Sequence, residues 1–161
     1  MPHKFDVEIP IKTSGSRTRL NIVGAIRLGD LAEAVIEQYD KTVNDESIVG
    51  FLTKTRDVYS TSGTIDLVLD GAGYHRSGLV TKAAKRLGIT LQYLPLYSPN
   101  LNPIERLWKV MNKHARNSQY FSTTKEFRRQ IGRFFTTILP DIADPLGSTI
   151  NDNFQQFKPA P

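Results

Sequence analysis

Residues 65–94, IDLVLDGAGYHRSGLVTKAAKRLGITLQYL, contain two short apolar runs separated by a stretch with helical spacing. The first run, at 65–69, is almost unbroken in apolar residues and has the length of a strand that is buried on both faces. Ser77 is a suitable N-cap for a helix that ends near Gly88, and the second run follows at 89–94. Strand, helix and strand in this order form a parallel crossover unit, so this stretch predicts an α/β fold.

The residues before this unit predict an antiparallel meander. Residues 5–12 alternate apolar and polar side chains, as a half-buried strand does, and Pro10 places this strand at an edge or near its end. Residues 19–28 (RLNIVGAIRL) predict a second strand, and residues 32–38 predict a third, weaker one. After Asn44, which can act as an N-cap, apolar side chains follow at helical spacing, Val58 among them, which predicts a helix with these side chains on its buried face.

The last third of the chain predicts helices. Asn102, Pro103 and Glu105 form the usual pattern of a helix N-terminus, and apolar side chains then repeat on one face, with Trp108 among them. A second helix is predicted from Thr123, and a short one nearer the C-terminus. The length of 161 residues fits one domain or an incomplete piece of a larger one. We interpret it as one unit, 1–161, made of the meander (1–40), a helix with the parallel unit (44–94) and C-terminal helices (102–154).

The composition excludes several classes of protein. The chain has no cysteine, which rules out disulfides, thiol catalysis and cysteine-ligated zinc or iron–sulfur sites. Its longest apolar runs fall far short of the ~20 residues that a membrane helix needs. We therefore expect a cytoplasmic protein with no membrane partner.

The positive charge is concentrated in one stretch. Residues 101–133 carry eight bases and two acids, whereas the remainder has thirteen bases and fourteen acids. This distribution favours a polyanion such as DNA as a partner, which would associate the protein with the nucleoid, although a solvated face of two helices would give the same pattern. The candidate DNA-binding residues are Arg106, Lys109, Lys113, Arg116, Lys125, Arg128, Arg129 and Arg133.

Two carboxylates occupy positions that suit chemistry. Asp70 follows the buried strand at 65–69, and functional groups gather beyond the carboxyl ends of parallel strands. By position alone it could equally begin a turn. Glu105 lies in the first turn of a predicted helix, where capping and the helix dipole also explain it. His75, five residues after Asp70, could support the same site or be an ordinary surface histidine.

Three segments resemble the catalytic core of the IS630/Tc1–mariner transposases. They are LPLYSPNLNPIERLW at 94–108, LDGAGYH at 69–75 and RTRLNIVGAI at 17–26. The resemblance implies a ribonuclease-H-like mixed sheet flanked by helices, an acidic DDE or DDD triad, two Mg²⁺ or Mn²⁺ ions, and cutting and transfer of DNA strands at transposon ends. It makes Asp70 the second carboxylate and Glu105 the third, both catalytic and metal-ligating, with His75 as a supporting residue.

The chain departs from the family pattern in two places. Gly71 stands where the family usually has Asn. The first catalytic Asp and the helix-turn-helix region are not recognisable, so we expect an N-terminally truncated domain that lacks the family's central first strand. Three alternatives follow for the central position: residues 4–12 move into the gap, the chain is a remnant, or another polypeptide supplies the strand. Asp6 and Glu8 are the upstream carboxylates on a predicted strand, but their surroundings do not match the family's first motif.

Two functions follow from this interpretation. The first is the catalytic domain of an IS630-type transposase, with negligible strand cleavage by this chain alone because the first Asp is missing. The alternative is a non-catalytic remnant that binds DNA, a second copy of itself or full-length transposase, and modulates transposition. The alternative requires no metal, so removal of the Asp70 carboxylate distinguishes the two.

Overall fold

The computed structural model describes residues 3–6, 11–12, 19–61, 63–69, 73–95, 101–115 and 123–151. Its strands are β1 (His3–Asp6), β2 (Ile11–Lys12), β3 (Arg19–Arg27), β4 (Asp30–Tyr39), β5 (Ile65–Leu69) and β6 (Ile89–Tyr93). Its helices are α1 (Asp45–Val58), α2 (Gly78–Arg86), α3 (Ile104–Ala115), α4 (Thr124–Arg133) and α5 (Leu139–Leu146), with a 3₁₀ turn at Gly73–Arg76 and a π turn at Phe134–Ile138.

The sheet changes from antiparallel to parallel at β1. β3 pairs antiparallel with β4 and with β1, and β2 pairs with the beginning of β3. β1 also lies parallel to β5, with His3 beside Leu67 and Lys4 beside Val68, and β5 lies parallel to β6. The spatial order is therefore β4, β3, β1, β5, β6.

This order shows which strand fills the central position. Residues 3–6 lie between β3 and β5, in agreement with the alternative in which the N-terminal residues move into the gap. Pairing there satisfies the amides and carbonyls of two strands that would otherwise be exposed edges. The strand expected over residues 5–12 is accordingly divided between β1 and β2.

The local sequence signals explain most element boundaries. Asn44 caps α1 and accepts a hydrogen bond from the Ser47 amide at 2.9 Å, and Ser77 caps α2. Gly88 ends α2 with a φ of +68°, a conformation that favours glycine. Val58, expected on the buried face of α1, is instead 51% exposed.

The C-terminal helices form one continuous run in which a π turn joins α4 to α5. Pro140 has no amide hydrogen to donate to the carbonyl four residues earlier, which accounts for a local change of helical period. The predicted helix from Thr123 is thus confirmed, and Phe127, Ile131 and Phe134 lie on its buried face.

Apolar side chains bury both faces of the sheet. β3 alternates between them: Ile22 and Ile26 belong to the cluster under α3, α4 and α5, while Val23 and Ala25 belong to the cluster under α1 and α2. A strand that contributes to two cores cannot slip by one residue without exchanging its faces.

Trp108 on α3 packs directly against the backbone of β3. Its side chain is 1% exposed, and its ring lies edge-on to Phe135 with centroids 6.1 Å apart. A Cβ built on Gly24 would lie 2.9 Å from Trp108 Cζ2 and 2.8 Å from Ile36 Cδ1, closer than real Cβ atoms approach. The indole N–H has no hydrogen-bond partner among the described residues, so close packing holds the ring.

We expect Gly24→Ala to lower the free energy of unfolding by about 1–3 kcal/mol, because the added methyl group overpacks the Trp108 contact. Urea unfolding followed by circular dichroism measures this change. Gly50→Ala is the matched control: no atom lies within 4 Å of its Cβ position, and alanine raises helix propensity in α1 by about 1 kcal/mol. Equal stability of the two variants would contradict the overpacking.

Candidate metal and nucleic-acid site

Glu105 lies in the first turn of α3, and its side chain is half-buried. A capping box would require its carboxylate to accept the Asn102 amide hydrogen. In the parts of the chain that the structure describes, this carboxylate has neither a hydrogen bond nor an ion pair, and the Ile104 amide instead donates to Asn102 Oδ1 at 3.4 Å. Capping therefore does not account for Glu105, whose charge is favoured by the positive end of the helix dipole.

The neighbours of Glu105 fix its position. Ile104 and Trp108 are fully buried in the core cluster beneath α3. Arg106 donates a hydrogen bond from its guanidinium to the Thr149 carbonyl at 2.6 Å, which ties the first turn of α3 to the residues after α5. Glu105 thus projects from a helix end that is held on both sides.

Asp70 lies outside the described residues, but the residues on either side of segment 70–72 are described. Leu69 ends β5, and its carbonyl accepts a hydrogen bond from the Leu94 amide at 2.7 Å. Gly73 begins the 3₁₀ turn that carries His75. The structure therefore describes the residues that come directly before and after the segment with the predicted carboxylate.

His75 is buried, with 1% of its surface exposed, and is not a surface histidine. Its carbonyl accepts a hydrogen bond from the Tyr93 hydroxyl at 2.7 Å, and the Arg76 guanidinium lies over the Tyr93 ring at 4.3 Å. Burial raises the pKa of Tyr93 while the Arg76 charge opposes that rise, so the hydroxyl stays a donor. Tyr93 was not among the site residues predicted from the sequence. The one signal that could have indicated it is its place at the end of β6.

The structure divides the predicted DNA-binding residues that it describes into two groups. Arg106 and Arg128 make hydrogen bonds within the chain. The other members of the set are exposed: Lys109, Lys113, Lys125, Arg129 and Arg133. Arg116 lies outside the described residues.

On α3, an acid and two bases lie on one helix face. Glu105, Lys109 and Lys113 follow one another at intervals of four residues, which places them along one side of the helix. Both lysines are exposed. A line of positive charge therefore leads away from the Glu105 carboxylate.

Arg128 joins α4 to the end of β4. Its Nη1 lies 2.9 Å from each Asp40 carboxylate oxygen, and Nη2 donates to the Gln38 carbonyl at 3.3 Å. Gln38 in return donates to the Arg128 carbonyl at 3.2 Å. The guanidinium of Arg128 is thus paired with groups of the protein itself.

The described residues contain neither a complete metal cluster nor a membrane-spanning helix. No three His, Asp or Glu side chains among them lie close enough together to hold a metal ion. No helix among them has the length and apolar character needed to cross a membrane.

Comparisons with known proteins agree on one family. Residues 4–128 match the family model described as DDE superfamily endonuclease. The chain is 22% identical over 131 residues to the uncharacterized 39 kDa protein of insertion element IS630 from Shigella sonnei, a match that covers 81% of this chain and 38% of that protein. The chain therefore spans about two-fifths of the length of this relative.

The fold is similar to that of solved transposase domains. The Mos1 transposase catalytic domain with raltegravir and Mn matches with a TM-score of 0.61 at 18% identity, covering 95% of this chain and 84% of that one. The Mos1 mariner paired end complex with Mn matches with a TM-score of 0.63 at 14% identity, covering 90% and 48%. At these identities the similarity establishes the ribonuclease-H-like fold.

We expect Arg128→Gln to lower the free energy of unfolding by about 0.5–1 kcal/mol, because it loses the ion pair with Asp40 at a partly exposed site. The adjacent Arg129→Gln, at an exposed position, should leave stability unchanged within error. Thermal unfolding at low and high salt measures both. A loss of stability that is equal in the two variants would contradict the structural assignment of Arg128.

Proposed function

The chain belongs to the DDE superfamily endonuclease family, and we propose on that basis that it provides the catalytic domain of an IS630-type transposase, for metal-dependent cleavage and transfer of DNA strands. The observation that carries this proposal is the Glu105 carboxylate, which is half-buried at a rigid helix end without a partner among the described residues. A carboxylate that is held at a helix end and has no partner within the described part of the chain is available to a hard divalent cation.

The donor set fits a hard divalent cation. Asp70 and Glu105 offer carboxylate oxygens, the ligands that Mg²⁺ and Mn²⁺ prefer. These two residues would hold the ions, which in a two-metal site stabilise the attacking and leaving oxygens of a displacement at phosphorus. His75, buried near the end of β5, would support the segment that carries Asp70.

Asp6 is our candidate for the carboxylate that completes the triad with Asp70 and Glu105. β1 lies parallel to β5 with Lys4 beside Val68, and Asp6 comes two residues after Lys4, as Asp70 comes two residues after Val68. This equivalence of position in adjacent parallel strands was not visible in the sequence, where the surroundings of Asp6 match no motif.

DNA is the partner that the charge distribution supports. Lys109 and Lys113 lie on the same face of α3 as Glu105. Contacts from these side chains to phosphates would orient the DNA backbone relative to the carboxylates without recognising the base sequence. The strand to be cut would then lie along α3, with its scissile phosphate near the start of the helix.

We expect Glu105→Gln and Asp70→Asn each to weaken Mn²⁺ binding by at least about tenfold, because loss of an outer-shell partner alone already costs about 10–100-fold in metal affinity. Isothermal titration and the Mn²⁺ electron paramagnetic resonance signal measure the affinity. Asp6→Asn, measured in the same way, tests the third position.

Glu126→Gln is the matched control, since Glu126 also lies in the first turn of a helix, α4. It should bind Mn²⁺ as the wild type does. Retention of wild-type affinity by both Glu105→Gln and Asp70→Asn would refute the metal site. Unchanged DNA affinity in Asp70→Asn, with no metal bound by the wild type, would instead favour the non-catalytic remnant.

We expect the double variant Lys109→Gln/Lys113→Gln to bind duplex DNA more weakly. The slope of log K against log salt concentration should decrease by about 2, because each phosphate contact contributes about 0.9. Fluorescence anisotropy across a salt series measures this slope.

The control for this experiment is Lys82→Gln/Lys85→Gln, which removes two exposed lysines from α2. Its slope should stay close to that of the wild type. If both double variants change the slope equally, the net charge and not the α3 face determines binding.

A further inference from the structure

We propose that Tyr93 is a positioning residue for the proposed metal site, because its hydroxyl bonds the turn that follows segment 70–72, while the backbone next to it bonds the residue that precedes this segment. This inference rests on the function proposed for Asp70. Tyr93 lies in β6, the strand beyond β5.

The first contact fixes the end of β5. Tyr93 is paired with Leu69 in the parallel ladder, and the next amide, that of Leu94, donates to the Leu69 carbonyl at 2.7 Å. The last residue before Asp70 is therefore held by the backbone of the Tyr93 region, at the level of the sheet.

The second contact fixes the residues that follow. The Tyr93 hydroxyl donates to the His75 carbonyl at 2.7 Å, and the Arg76 guanidinium covers the ring at 4.3 Å. His75 is buried while its neighbours Gly73 and Arg76 are exposed. The turn is thus held against the sheet through the hydroxyl, the ring and one buried side chain.

These contacts hold residues on either side of segment 70–72, and only these three residues connect Leu69 to Gly73. A short connection between two held residues costs less entropy to order than a connection with one free end, so the Tyr93 hydroxyl would favour metal binding. Loss of the hydroxyl would release one end and increase the entropy that metal binding must remove.

The variant Tyr93→Phe removes the hydroxyl and keeps the ring under Arg76. Tyr39→Phe is its matched control: Tyr39 is also half-buried, its hydroxyl also donates to a backbone carbonyl, that of Ser47 at 3.2 Å, and burial raises its pKa to about 12. Tyr39 lies on β4, at the opposite side of the sheet from β6.

Hydrogen–deuterium exchange of the metal-free protein tests the positioning. In Tyr93→Phe the peptide covering residues 69–77 should exchange roughly three- to tenfold faster, as the loss of one hydrogen bond predicts. In Tyr39→Phe it should be unchanged. Unchanged exchange of this peptide in Tyr93→Phe overturns the proposal, whatever the metal result.

Mn²⁺ affinity tests the link to the site. It should fall about three- to tenfold in Tyr93→Phe and stay at the wild-type value in Tyr39→Phe, even when the two variants have equal melting temperatures. Equal affinities in the two variants, with metal bound by the wild type, overturn the proposal. If the wild type binds no Mn²⁺, the proposed metal function fails, and the exchange result alone decides whether Tyr93 holds the turn.

Discussion

The indole of Trp108 lies against the bare backbone of Gly24, and the position of Glu105 depends on this contact. Glu105 is three residues before Trp108, so a displacement of the ring from β3 would move the carboxylate with it. β3 pairs with β1, and β1 pairs with β5, which ends one residue before Asp70. One packed helix and two strand pairings therefore connect the supports of the two carboxylates.

The basic residues serve a structural purpose and, in the function proposed above, a second one, DNA binding, and net charge does not distinguish the two. Arg106 and Arg128 bond to carbonyls and to a carboxylate, and they tie helices to distant parts of the chain. Lys109 and Lys113 remain exposed, at a spacing that lines them up with Glu105. Arginine suits the first purpose because its planar fork makes several directed hydrogen bonds, whereas lysine provides a mobile point charge for phosphates.

Local signals were sufficient to predict much of the fold. The apolar run of β5, the cap at Ser77 and the stop at Gly88 each act over a few residues, and each is where the sequence placed it. The central position of β1 was one of several alternatives that the sequence left open, because it depends on pairing with β5 some sixty residues later. No periodic pattern in the sequence indicates which strands a short polar strand pairs with.

For the candidate site, the sequence led to a hypothesis about its residues but not about the contacts around them. Asp70 and Glu105 were proposed from the ends of a strand and a helix, and from the resemblance of the surrounding motifs, and their role stays a prediction. The hydrogen bond from Tyr93 to the His75 carbonyl joins residues eighteen apart, and the Arg128–Asp40 pair joins residues eighty-eight apart. Such contacts follow from tertiary structure, which composition and spacing do not encode.

Anomalous diffraction from crystals of this chain soaked in Mn²⁺ is the most direct test of a shared carboxylate site. The account predicts an anomalous peak within coordination distance of carboxylate oxygens from both Asp70 and Glu105. A peak at neither residue, with the two side chains facing different sides of the molecule, would contradict it.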